Sequence, residues 1–310
     1  MILTVTLNAA IDKRYVLEQL RPGEVNRVKE ISYSAGGKGL NVARVAAIAG
    51  EAVCATGFVG GHAGNYIIET LQKQNIRSDF VHTKGESRSC INIYDEASKI
   101  QTEILEPGAG VTEEDKERML QKFRQLISES SLVAISGSVP QGADAFLYVK
   151  MIEIAKQQGK RVILDTSGRL LEEAIKAVPY MIKPNMDEIR MLTGKSLKTQ
   201  AELLQAAKQL HQSGIELVVI SCGSDGSITV CREGVYRAIA PRVEVVNTVG
   251  CGDSLVAGFA VGLCRNMPIE DTIKLATAIS AANAMRVETG YFRPEDMQEL
   301  LPRVKVERLE

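Results

Sequence analysis

The strongest constraint on the fold is a rhythm: short β-branched runs alternate with amphipathic helical stretches along most of the chain. Segments 2–7, 52–58, 132–135, 161–164, 181–182 and 217–221 read as strands. Between them, 40–49, 66–74, a stretch near 144–157 and another near 201–212 carry apolar residues at helical spacing. Strands separated by helices cannot close as tight hairpins. They line up parallel, and the helices cover both faces of the sheet. An α/β fold with a mostly parallel central sheet follows.

Two stretches break the rhythm. Residues 15–34 and 89–105 look extended, with charges alternating with apolar residues and no helix between successive runs. They read as an accessory sheet attached to the α/β body. Segment 223–240 offers two more strands around Arg232-Glu233-Gly234, and 252–286 reads as helical. No Pro- or Ser-rich linker, low-complexity tract or internal repeat interrupts the 310 residues, so one domain over 1–310 is expected, with lid strands from about 12–34 and 88–106.

Composition excludes several classes of function. The 37 Lys and Arg almost cancel the 38 Asp and Glu, which gives no support to a nucleic-acid or membrane-surface partner. Six cysteines (Cys54, Cys90, Cys222, Cys231, Cys251 and Cys264) are scattered without a C-x-x-C pair or a zinc spacing. They read as reduced thiols in a cytoplasmic protein. The apolar start lacks a basic stretch before it and meets Asp12 and Lys13 directly after, so it reads as a strand and not as a signal peptide. No run approaches the roughly 18–20 apolar residues that cross a bilayer.

Three segments carry chemistry. Asn247-Thr248-Val249-Gly250-Cys251-Gly252-Asp253-Ser254 runs straight into an apolar helix. Glycines there let successive N–H groups converge at a positive helix start, a place for an anion. Asp253 either caps the helix or faces an attacking hydroxyl. At a helix start its pKa is expected to be low. Ala35-Gly36-Gly37-Lys38-Gly39-Leu40-Asn41 surrounds a Lys with glycines at another helix start, either a close approach to a ligand or a plain strand-to-helix turn. In Lys183-Pro184-Asn185-Met186-Asp187-Glu188, Asn185 and Glu188 have capping-box spacing. The same pair could instead face hydrated Mg²⁺ and phosphate oxygens, with Lys183 alongside.

Other signatures fail. Thr193-Gly194-Lys195-Ser196 imitates the end of a P-loop, but Ile189 stands where its first glycine belongs. No protein-kinase H-R-D or D-F-G set, hydrolase G-x-S-x-G elbow or metal context for His62, His82 or His211 is present. A Rossmann dehydrogenase would need G-x-G-x-x-G after the first strand, and the sequence lacks it.

In this order and at these separations, the Gly-Gly-Lys-Gly, Lys-Pro-Asn-x-x-Glu and Gly-x-Gly-Asp segments resemble the ribokinase-like PfkB family of carbohydrate kinases. The likeness runs from Thr4-Val5-Thr6-Leu7-Asn8 to Glu288-Thr289-Gly290-Tyr291. Within the family the chain resembles the branch holding tagatose-6-phosphate kinase and 1-phosphofructokinase. Ser87-Arg88-Ser89-Cys90-Ile91 and Gln101-Thr102-Glu103-Ile104-Leu105-Glu106 lean toward the former.

The resemblance implies a three-layer sandwich with a small β-sheet lid, and transfer of the γ-phosphoryl of ATP, with Mg²⁺, to a ketohexose phosphate. Tagatose 6-phosphate is the first expectation and fructose 1-phosphate the alternative. It implies Asp253 as the base, with Gly250, Cys251 and Gly252 forming an anion hole. Asp12, Gly37, Lys38, Asn41, Arg88 and Ser138 would hold the sugar phosphate. Lys183, Asn185, Glu188, Ser221, Gly223, Gly226 and Asn283 would form the nucleotide side, with Glu188 and Asp165 near the metal. The lid implies a homodimer.

The chain departs from the family pattern at Ala9, Ser87, Asn247 and Cys251, none of which replaces the base. The rival from another class is a non-catalytic sugar-phosphate or nucleotide sensor, which would have no need of Asp253.

Overall fold

The alternation of strands and helices becomes one large sheet. A computed structural model describes residues 1–194, 197 and 199–310. Among them, strands run parallel in the spatial order Leu217–Ser221, Met181–Ile182, Arg161–Asp165, Leu132–Ser136, Ile2–Thr6, Val53–Val59 and Arg77–Ser78, and Val81–His82 also pairs parallel with the end of Val53–Val59. Ile2–Thr6, Leu132–Ser136 and Val53–Val59 are buried at every residue, as apolar runs without polar alternation require. Antiparallel strands Ser227–Cys231, Gly234–Ile239 and Lys305–Arg308 extend the Leu217–Ser221 edge.

Helices cover both faces, so the body has three layers. Lys38–Ile48, Cys251–Cys264 and Ile269–Ala284 pack into one core, and Glu113–Ser128, Ala145–Gln157 and Gln200–Gln212 into the other. Cys251–Cys264 is buried from Asp253 through Leu263, which explains its apolar character all round. From Ile2–Thr6 the chain builds first toward Val53–Val59 and later toward Leu132–Ser136. That reversal opens a crevice at the carboxyl ends of the strands.

The smaller sheet has Ala10–Leu17 at its centre, antiparallel to Glu30–Gly36 and parallel to Arg88–Asp95, with Ile100–Leu105 beyond. Only Gly37 separates strand Glu30–Gly36 from helix Lys38–Ile48.

Three features differ from the sequence reading. Residues 18–29 form no strand, because Pro22-Gly23 interrupts the run, and the first strand of the smaller sheet starts earlier, at Ala10. The helical stretch 252–286 is two helices, broken where Asn266 takes φ 52° ahead of Pro268. Helix Glu113–Ser128 went unread: its capping box pairs Thr112 with Asp115 in place of the usual Glu or Gln. The P-loop imitation ends helix Met186–Thr193 with Gly194 in the left-handed conformation, while Lys195 and Ser196 lie outside the described residues.

Candidate active site

The carboxyl ends of the parallel strands and the smaller sheet enclose a cleft of about 920 Å³. Three helix starts meet it, through the cap residues Gly37, Asn185 and Gly250.

The start of Cys251–Cys264 is a glycine turn. Gly250 has φ 84°, a conformation that favours glycine, and a Cβ there would stand 2.6 Å from the Gly290 nitrogen. The turn binds the Cys251 N–H to Thr248 O at 3.2 Å and the Ser254 N–H to Gly250 O at 2.8 Å. Among the described residues this leaves the N–H groups of Gly250, Gly252 and Asp253 without a hydrogen-bond acceptor, so the Cys251 N–H is the one member of the expected anion hole already spent.

Asp253 is 6% exposed and accepts a 2.8 Å hydrogen bond on Oδ2 from Asn41 Nδ2. Burial pushes its pKa up to about 6 against the pull of Lys38, and Asp165 adds to the rise. The expected low pKa is thereby corrected, since desolvation outweighs the helix start and the Asn41 hydrogen bond.

Asp165, 1% exposed at the end of its strand, anchors two lysines. Lys38 Nζ lies 3.5 Å from Oδ2, and Lys183 Nζ lies 3.3 Å from Oδ1 without forming a hydrogen bond. Asp165, then Asp253 and Glu188, raise the Lys38 pKa, so its ammonium is permanent. The Lys183 ammonium also stands 3.6 Å from the position a Cβ on Gly252 would take, beside the helix start.

At the other end of the cleft, Asp12 fills space that Gly36 leaves: a Cβ on Gly36 would lie 2.0 Å from the Asp12 Cγ. Burial raises the Asp12 pKa to about 6, opposed by Arg44 and Arg88. Arg88 donates through Nε to Asn8 O at 3.1 Å and through Nη1 to Glu106 O at 3.0 Å, which fixes the guanidinium in the cleft wall. Ser138 Oγ accepts from Asn8 Nδ2 at 3.1 Å, and Gly37 lines the same end.

The cleft wall thus gathers Asp253, Asp165, Lys38, Lys183, Asn41 and Asp12, together with Arg88, Ser138, Asn185, Ser221 and the glycines at 37, 250 and 252. Five expected residues are not brought to it. Asn283 is fully buried: its Oδ1 accepts from Ser254 Oγ and the Tyr291 N–H, and its Nδ2 donates to Val249 O and Cys251 Sγ. It braces the turn from behind. Cys251 lies beside it, with burial raising its thiol to about 11. Glu188 returns its Oε2 to the Asn185 N–H at 2.8 Å, completing the capping box. Gly223 and Gly226 bracket a tight turn in which Cys222 N–H donates to Gly226 O.

Sequence reasoning missed two residues that hold the site. Asn8 links Ser138 to Pro107 O, and buried Arg44 donates to Asn41 Oδ1 at 3.1 Å. Arg44 has one local signal, its position one helical turn after Asn41.

Known proteins share this architecture. The chain is 40% identical over 309 residues to the tagatose-6-phosphate kinase of Staphylococcus epidermidis, covering 99% of both. A possible 1-phosphofructokinase of Thermotoga maritima superposes with a TM-score of 0.91 at 30% identity, covering 100% of both chains. The Escherichia coli phosphofructokinase-2 crystallised with potassium superposes at 0.92 and 28% identity, with 97% of this chain and 98% of that one covered. The pattern described as pfkB family carbohydrate kinase matches residues 4–296, a span that takes in the glycine turns, both site lysines and Asp253. With the family pattern over residues 4–296, a relative 40% identical over nearly the full length and the fold in agreement, the chain belongs to the pfkB family of carbohydrate kinases.

Proposed function

We propose that this ATP-dependent sugar-phosphate kinase converts tagatose 6-phosphate to tagatose 1,6-bisphosphate. One observation carries the chemistry: a carboxylate poised near pKa 6 at an uncapped, glycine-turned helix start, oriented by Asn41 and flanked by fixed lysines. The acceptor follows from the S. epidermidis relative. The Thermotoga neighbour makes fructose 1-phosphate the second reading.

Asp253 Oδ1 takes the proton of the acceptor hydroxyl as its oxygen bonds to the γ-phosphorus. The bond from that phosphorus to the β–γ bridging oxygen breaks, and ADP leaves with the electron pair. Phosphoryl transfer asks for placement and charge compensation more than covalent help. The free N–H groups at Gly250 and Gly252 face the charge that spreads over the γ-phosphoryl oxygens. Lys38 and Lys183 balance the phosphates. Arg88 and Asp12 hold the sugar phosphate, with Asn41 and Ser138 alongside, and Ser221 and Asn185 border the nucleotide.

Glu188 spends one carboxylate oxygen on its own cap and is not part of the cleft wall, so it would meet Mg²⁺ only through a metal-bound water, although its charge still reaches Lys38. Asp165 does not fit as a direct ligand, because a divalent cation there would meet both lysine ammoniums. Among the described residues no three acidic, His or Cys side chains are grouped to cage a metal. When bound, Mg²⁺ would neutralise β- and γ-phosphate charge.

The smaller sheet is the lid that excludes water from this transfer. Its Ile31, Tyr33 and Ile104 are 53%, 49% and 51% exposed, a face suited to a second copy, which supports a homodimer through the lid. Its six free thiols support a cytoplasmic setting. No helix among the described residues is long and apolar enough to cross a membrane.

The test is ATP-dependent ADP release with Mg²⁺ against tagatose 6-phosphate, fructose 1-phosphate, fructose 6-phosphate, fructose and ribose. A leading kcat/KM for tagatose 6-phosphate supports the reading. A lead for fructose 1-phosphate keeps the chemistry and replaces the acceptor, and no turnover with any favours a sensor. Solution mass separates the dimer from other states.

A further inference from the structure

Behind Asn41 lies a cation that the mechanism above does not use. Arg44 is 5% exposed, and burying a guanidinium is costly unless its donors are satisfied. Its partners are all neutral. Nη1 donates to Asn41 Oδ1 at 3.1 Å and to Thr289 O at 3.0 Å, Nε donates to Gln74 Oε1 at 3.3 Å, and Nη2 donates to Ala35 O. These acceptors belong to four separate segments: the Lys38–Ile48 helix, the loop before Pro294, the residue after helix Gly61–Lys73, and strand Glu30–Gly36.

An amide has a donor end and an acceptor end. Turned one way Asn41 supports a carboxylate, and turned the other it repels it. A guanidinium only donates, so Arg44 selects Asn41 Oδ1 for its own side and leaves Nδ2 for Asp253 Oδ2. We propose that Arg44 is a positioning residue for phosphoryl transfer: it locks the Asn41 amide in the orientation that donates to Asp253. Through Ala35 O and Thr289 O it also keeps the lid strand and the 289 loop in register with that carboxylate. The inference rests on Asp253 being the base.

Arg44 also acts by charge. Asp12 and Asp253 are the carboxylates that feel it. Lys38, Lys183 and Asp165 act on Asp253 as well, and Arg88 and Glu103 on Asp12, and all of these stay in place when Arg44 alone is changed.

The experiment compares Arg44→Lys, Arg44→Met, Asn41→Ala, the Asn41→Ala/Arg44→Lys double variant and Asp253→Asn, all in the full chain. Arg44→Lys keeps the charge but loses the fork. It is expected to lower kcat at least tenfold with KM for ATP within about threefold, and to leave the acid limb of the pH–kcat profile in place. Arg44→Met is expected to lower kcat further and move that limb to higher pH. In the Asn41→Ala background Arg44→Lys should cost little more, since the pair acts as one unit.

Wild-type kcat in Arg44→Lys beside an inactive Asp253→Asn overturns this inference alone. Fully additive losses in the double variant overturn it too. Near-normal turnover in Asp253→Asn removes the base reading and this inference with it. Should the Arg44 variants fail to fold, nitrogen NMR of arginine-labelled wild-type enzyme decides. The Arg44 Nη signal should titrate with the midpoint of the activity limb, and a flat signal overturns the inference.

Discussion

Two helix starts open on the same cleft and are finished in opposite ways. At Asn185 the helix caps itself: the Asn185 Oδ1 accepts from the N–H groups of Asp187 and Glu188 at 2.9 and 2.8 Å, and Glu188 returns the bond. At Gly250 no side chain caps the helix, and Gly250, Gly252 and Asp253, whose N–H groups have no acceptor among the described residues, line the cleft with Lys183. A helix start satisfied by its own residues has no need of a ligand. One left open is completed by an anion. The same contrast separates a residue spent on stability from one kept for turnover.

The largest effect should come from Asp253→Asn. Loss of a positioned base lowers turnover by about 10²–10⁴, with nucleotide binding retained. The same variant should be more stable than wild type near pH 8. The raised native pKa, about 6 against 3.8, means that the fold holds the proton more tightly than the unfolded chain does. Stability from that proton is complete below pH 3.8 and is lost as pH rises through 6, on the order of 2–3 kcal/mol in all. Thermal unfolding at pH 8 should therefore show a gain that vanishes near pH 3. Equal melting of the two proteins at pH 8 would mean that Asp253 is not strained by burial.

Gly250→Ala comes next. A side chain there is forced into φ 84° and against the Gly290 nitrogen. A cost of about 1–3 kcal/mol and at least a tenfold drop in kcat are expected, read by denaturant titration and steady-state rates. Wild-type kinetics would show that the open turn does not need its present shape. For the unmodified enzyme, kcat should rise with pH through an acid limb near 6, as Asp253 gives up its proton. A profile flat from pH 5 to 8 would detach the limb from this carboxyl.

Asn185→Ala should have the smallest catalytic effect. It removes a cap worth about 0.5–2 kcal/mol, so the melting temperature falls while kcat stays within a few-fold. A collapse in kcat without loss of stability would reverse the contrast between the two helix ends.

The sequence disclosed what is local. Strand alternation foretold the parallel sheet because each buried strand is apolar without reference to its neighbours. The Gly-x-Gly-Asp turn foretold a helix start without a side-chain cap because glycine and helix start lie within a few residues. Arg44 stayed hidden because its meaning depends on Thr289, 245 residues away, and on the Asn41 amide it orients. Asn283 was assigned to the nucleotide side by resemblance, yet all its hydrogen-bonding capacity is turned inward, toward Ser254, Tyr291 and the turn. The Asp253 pKa departs from its sequence expectation for the same reason: a helix start is visible in sequence, and the depth at which it is buried is not.

The single residue between strand Glu30–Gly36 and helix Lys38–Ile48 has a mechanical meaning. Gly37 is the whole length of the coupling, so a swing of the smaller sheet cannot be absorbed by slack in the chain. It arrives one peptide later at Lys38 and within a turn at Asn41, whose amide steers the Asp253 carboxylate. On the proposed lid and base reading, covering the sugar and arming the base would be one displacement, with a glycine as its fulcrum.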